Sequence, residues 1–161
     1  MTMHQADTQR QLTPHWLVCL AMLMLLIIYN LICHFGSDGL RLNLDETQRV
    51  TIRTILYAVT IGLFPLTNLV RHILLRLNQT MPGDKPAAQR YLTTIIVTQT
   101  MIEIVSLFGL LMFLLGDDFN TLYIFSVLGL LGIFLHKPKM TELENIIQAL
   151  NTKKHRLDII P

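Results

Sequence analysis

Apolar residues in this chain gather into long, nearly unbroken blocks. Four stand out, at residues 16–35, 54–75, 91–115 and 119–136. At ~1.5 Å per residue, about 20 helical residues cross a hydrocarbon core of ~30 Å. The first three blocks are long enough to span, and the fourth is slightly short. Inside lipid a backbone must satisfy its own hydrogen bonds, so blocks of this length read as helices. Strands of a barrel would be about half as long and would alternate apolar with polar residues, and these blocks do not.

The connections carry signals of their own. Asn43 and Glu46 have the reciprocal spacing of an N-terminal cap, which starts the second helix near Asp45. From there to Leu77 such a helix is roughly 50 Å long, so its first turns are expected in the headgroup layer. Pro65 lies mid-span, where the missing donor and the ring clash are expected to kink it. The second connection, from Met81 to Pro86, has two prolines and a glycine and reads as a loop. Gly116, Asp117 and Asp118 form a tight turn, so the third and fourth helices make an antiparallel hairpin. After Pro138, Thr141 and Glu144 repeat the capping spacing, and Leu143, Ile146, Ile147 and Leu150 recur at i, i+3, i+4 and i+7. That is a short amphipathic helix. Lys153, Lys154 and Arg156 at its end suit both a helix C-terminus and anionic headgroups.

Composition agrees with this reading. Of 161 residues 52% are hydrophobic and only 15% charged, with a mean hydropathy of +0.47, whereas soluble domains carry about 25% charge. Disorder is excluded by the same figures, and a disulfide scaffold by the presence of two cysteines only. A net charge of +2 gives no reason to expect nucleic acid. The first block is too long for a signal core and lacks a small-x-small cleavage site, so it is expected to be a retained helix.

The basic residues set an orientation. With the N-terminus inside, ten of the thirteen Lys and Arg residues fall on the inner side: Arg10 in the leader, Arg71, Arg76, Lys85 and Arg90 around the second connection, and Lys137, Lys139, Lys153, Lys154 and Arg156 in the C-terminal tail. Arg41, Arg49 and Arg53 fall outside, which makes the entrance to the second helix the weakest point. The positive-inside rule then places both termini in the cytoplasm. The expected architecture is all-α: a four-span transmembrane helix bundle with a short cytoplasmic amphipathic C-terminal helix. Residues 1–15 form a cytoplasmic leader, 16–136 the bundle and 137–161 the tail, in an inner (plasma) membrane.

Little in the sequence resembles enzyme chemistry. Cys19 and Cys33 are fourteen residues apart on one helix, roughly 21 Å along its axis, and read as buried apolar thiols. His15, His72 and His136 fall at the inner ends of spans and read as interfacial anchors; a haem held between two of them is the alternative. No metal-ligand cluster, catalytic triad or phosphate loop is present, so neither metal nor cofactor is expected, nor an enzyme. Ser126, Gly129 and Gly132 recur every three residues in the fourth helix, as do Ser106 and Gly109 in the third. Small residues let membrane helices approach closely, and these mark either the contact between third and fourth helices or a contact between protomers.

The third helix is the unusual one. Gln99, Glu103 and Ser106 fall at i, i+4 and i+7, and Glu103 lies near the middle of its span. It is the only acidic residue deep within an apolar block. A charge there costs ~2.5–3.5 kcal/mol or more, which drives the carboxyl toward its neutral form. Glu103 is therefore a candidate proton- or cation-binding residue with Gln99 and Ser106 as neighbours, or else a protonated bridge between helices.

The thirteen residues from Glu103 to Leu115, Glu-Ile-Val-Ser-Leu-Phe-Gly-Leu-Leu-Met-Phe-Leu-Leu, resemble the carboxylate helix of the rotary ATP synthase proteolipid (c) subunit. In that family a Glu is followed by small and apolar residues and an aromatic-Gly-Leu step, matched here by Phe108, Gly109 and Leu110. The resemblance implies an ion-binding carboxyl at Glu103. The overall pattern also resembles small four-helix inner-membrane proteins of bacteria, a likeness that implies no activity. Two classes of function follow: a proton- or cation-handling component of a membrane assembly, or a non-catalytic accessory subunit in which Glu103 is interhelical glue. An oligomeric membrane-perturbing effector is a third. The expected partners are the lipid bilayer and either further copies of the chain or other membrane subunits.

Overall fold

The computed structural model describes residues 3–36, 39, 41–42, 44–81 and 85–157. Five helices form among them: α1 (Met3–Phe35), α2 (Glu46–Thr80), α3 (Ala87–Leu114), α4 (Phe119–Leu135) and α5 (Met140–Leu157). There are no strands among the described residues. The span of α1 that is long and apolar enough to cross a membrane is Arg10–Phe35, and α2 and α3 qualify over their whole lengths. At 17 residues α4 is about 25 Å long. It reaches the threshold only together with α5, from which it is bent by 43°. Among the described residues there are thus three helices of membrane-crossing length and apolarity, or four with the bent pair counted as one span.

Helix α3 is the hub and touches each of the other four. It is buried along much of its length, whereas α1, α2 and α4 each turn a broad apolar face outward. Ile61 is 75% exposed, Leu17 64% and Phe134 63%, within a belt that includes Leu20, Leu31, Ile55 and Val127. A water-soluble monomer rarely shows apolar patches of that extent, and hydrocarbon needs no such covering.

Several boundaries differ from the expected ones. Helix α1 starts well before the first apolar block, at Met3, and runs on through Pro14. Leu12 and Cys19 join Tyr91, Ile95, Leu143 and Ile146 in one buried cluster. The amphipathic stripe of α5 is accordingly turned onto protein: Leu143 and Ile146 are fully buried, and Ile147 and Leu150 pack against the same cluster. Helix α5 begins at Met140, so Thr141 lies inside the first turn and does not cap it. Asn43 lies outside the described residues; α2 begins after Asp45, which makes no side-chain cap bond. Pro65 leaves α2 a single helix, although its ring removes one backbone donor.

The three arginines expected on the outer side all find partners around the α3–α4 turn. Arg53 pairs with Asp117 at 3.1 Å, Arg49 donates to Gly116 O, and the Arg41 guanidinium lies 4.3 Å from the centre of the Phe113 ring. Gly116 has φ 92°, a conformation that only glycine adopts cheaply. At the other end of the bundle arginines cap helices. Arg90 donates to Asn78 O and Met81 O at the end of α2, and Arg71 to His136 O and Lys137 O at the end of α4. Both satisfy carbonyls that a helix C-terminus leaves without donors, where a cation is also favoured.

Candidate functional site within the bundle

Gln99, Glu103 and Ser106 share one face of α3, and the helix turns that face onto α1 and α4. Gln99 Nε2 lies 3.2 Å from Cys19 Sγ on α1 and donates to Ile133 O and His136 O at 3.4 and 3.2 Å. One turn further on, Glu103 is only 4% exposed. Neither of its carboxylate oxygens has a hydrogen-bond partner among the described residues. Tyr29 of α1 faces both Glu103 and Ser106 within reach of a hydrogen-bonding interaction, and none of these three side chains makes a close, well-aligned hydrogen bond. Four oxygens on three side chains therefore converge on one buried spot.

The small residues explain how the helices come this close. A Cβ at Gly129 would collide with Ser106 Oγ, one at Gly132 with Ile102 Cγ2, and one at Gly109 with Phe125 Cβ and Leu122 O. Of the two readings these residues left open, the structure uses them for the contact between α3 and α4. Ser126 has a different partner: it exchanges hydrogen bonds with Asn30 of α1 at 3.0 and 3.2 Å. Beyond that pair, toward the α3–α4 turn, Cys33, Phe113 and Leu122 form an apolar cluster.

Toward the α5 end lies a polar network. Arg71 is held by Glu142 at 2.7 Å, with side chains 7% and 16% exposed. Tyr91 donates to the same carboxylate at 2.8 Å and accepts from Lys139 N at 2.8 Å. These contacts tie α2, α3 and α5 together at the α4–α5 bend. His136 sits in that bend with Nδ1 3.0 Å from Gly132 O and Nε2 buried and unbonded. His15 lies 3.1 Å from Ala88 O and 4.9 Å from the Tyr91 ring, while His72 is exposed. The three histidines do not converge, and no group of three metal-ligating side chains forms among the described residues.

Sequence reasoning found Gln99, Glu103 and Ser106 from their helical spacing and Glu103's depth. It missed Tyr29, which looks like one more large residue in an apolar run. It also counted Arg71 as an ordinary inner-side charge and did not single out Glu142. The only available signal for that pair was the position of Arg71, inside the second apolar block. A comparison of the chain with protein families, curated proteins and solved structures finds no match.

Proposed function

We propose that this chain is a small four-span protein of a bacterial inner membrane, part of a membrane assembly, in which Glu103 binds and releases a proton or small cation. In this reading α1 to α4 cross the bilayer with both termini in the cytoplasm. Helix α5, which carries Glu142, Glu144, Lys153, Lys154 and Arg156, has too many charges for hydrocarbon and lies against the inner end of the bundle.

The observation that carries the reading is the enclosed carboxyl of Glu103, without a close hydrogen bond, facing the hydroxyls of Tyr29 and Ser106. Neither carboxylate oxygen makes a close hydrogen bond to a partner helix, and a buried polar group without one costs ~1–3 kcal/mol. A proton on one carboxylate oxygen lets it donate to Tyr29 or Ser106, and a bare cation would find the same oxygens as ligands. The likeness of residues 103–115 to the proteolipid carboxylate helix supports the same chemistry.

The test is infrared difference spectroscopy of the protein in lipid across a pH titration. Wild type is expected to show the carbonyl stretch of a protonated carboxyl that disappears on alkalinisation, and Glu103→Gln to lack it. Loss of that band on adding sodium at constant pH would identify a cation competing for the site. A band that persists at every pH accessible to the fold would make Glu103 a permanently protonated bridge and end the proposal.

A further inference from the structure

The Glu103 carboxyl is enclosed, so an ion held there needs a route. Buried side-chain atoms without partners are uncommon in packed interiors and mark where interior water is stabilised. Among the described residues nine such atoms occur, and six of them, His136 Nε2, Gln99 Oε1, both Glu103 oxygens, the Tyr29 hydroxyl and Ser106 Oγ, belong to neighbouring residues, while His15 Nδ1, Arg49 Nε and Thr60 Oγ1 lie elsewhere. The six belong to residues linked in series: Gln99 stands one helical turn from Glu103, about 6 Å along the axis, and donates to the carbonyl of His136.

The two ends of the series differ in how their polar groups are engaged. Past Ser106, the outer side is closed by the mutually bonded Asn30 and Ser126 and by the apolar cluster of Cys33, Phe113 and Leu122. Past Gln99, the α5 side continues to His136, whose carbonyl receives Arg71, and from there to Glu142, the most exposed carboxylate of the network. His136 itself is 2% exposed. Because Gly132 O can only accept, Nδ1 of His136 carries its proton, and Nε2 is left as a free base. An imidazole so arranged can pass a proton along.

We propose that Glu103 exchanges its proton with the α5 end of the bundle alone, through His136 and Gln99. The proposal rests on the reading of Glu103 as a proton-binding group. In the inward step a hydronium protonates Nε2, and the imidazolium then gives up that proton. The N–H bond breaks as an O–H bond forms on the Glu103 carboxylate, across water held by Gln99 Oε1. Imidazole and carboxyl both end neutral. The ionisable groups facing this path are Cys19, Tyr29 and Cys33 from α1, Arg71 from α2, Lys139 before α5, and Glu142 from α5.

The experiment follows the Glu103 carboxyl band in lipid after a pH jump. His136→Asn removes Nε2 and keeps a donor for Gly132 O; Gln99→Leu removes the intervening acceptor. Both are expected to keep the band, which shows that the site is intact, and to slow its appearance by about tenfold or more. Ser126→Ala, at the opposite end, is expected to leave the rate at the wild-type value. Slowing by Ser126→Ala without slowing by His136→Asn would place access at the outer end and overturn the proposal. Equal rates in all variants would overturn it as well, and would direct attention to the apolar crevice of about 290 Å³ between α1 and α4, walled by Cys19 and Ile133. A wild-type protein with no such band would overturn the underlying reading of Glu103 and this route with it, a result distinct from a band whose kinetics ignore His136.

Discussion

Single atoms decide how closely α3 and α4 approach. Ser106 Oγ sits where a Gly129 side chain would be, so Gly129→Ala is expected to lower stability by about 1–3 kcal/mol through overpacking. Ser106→Ala removes the colliding oxygen and should recover part of that loss. The recovery would appear as non-additivity between the two substitutions in thermal unfolding in mild detergent. Fully additive losses would mean that the two residues do not meet. Gly116 poses a different case, since its φ of 92° is the constraint and not its surroundings. Gly116→Ala should cost roughly 1 kcal/mol by forcing an L side chain into the left-handed region, and the same unfolding assay reads it.

At the scale of elements, the informative piece is α5. Its apolar stripe resembles that of a helix laid on a membrane surface, but Leu143 and Ile146 are consumed by Leu12, Cys19, Tyr91 and Ile95. The helix is fastened by Arg71, Glu142 and Tyr91. Removing one member of a largely buried ion pair leaves the other without its counter-charge, a loss of ~3–5 kcal/mol in buried settings. Arg71→Met is therefore expected to free α5 from the bundle and to speed amide exchange and protease cleavage across residues 140–157, with α3 still protected. Tyr91→Phe, which removes one hydrogen bond, should do so to a smaller degree, by about 1 kcal/mol. Unchanged protection of α5 in Arg71→Met would show that the apolar stripe alone holds the helix.

At the scale of the whole molecule, the arginines alter the orientation argument. The outer residues Arg41, Arg49 and Arg53 are engaged with Phe113, Gly116 O and Asp117, so their charge is partly spent on folding. On the opposite side Arg71 and Arg90 likewise cap helices. The excess of basic residues still lies with the termini, and reporters fused at either end are expected to read the same, cytoplasmic side. A periplasmic reading at the C-terminus would break the four-span arrangement at α4, the shortest helix. Self-association, if it occurs, has to use another surface, because α3 already fills the Gly129 and Gly132 face. Gly129→Leu should therefore act on the fold of each protomer before it acts on any contact between copies.

By itself, the sequence determined the helical class, the four apolar blocks and the acidic residue buried among them. Each of these depends on local quantities: the length of an apolar run, the cost of irregular backbone in lipid, and the lack of other carboxylates within the blocks. Gln99, Glu103 and Ser106 could be grouped in advance because helical spacing alone puts them on one face. Only the tertiary structure decided what that face meets. Tyr29 lies 74 positions from Glu103 in the chain, and Arg71 lies 71 from Glu142, so no periodicity links either pair. It decided equally that the α5 stripe is covered by protein, since an amphipathic pattern states that one face needs an apolar neighbour and not which neighbour supplies it. Local rules fix what a segment is; the partner of a buried polar atom is fixed by how segments pack, and that is where the Glu103 site and its latch at Arg71 are made.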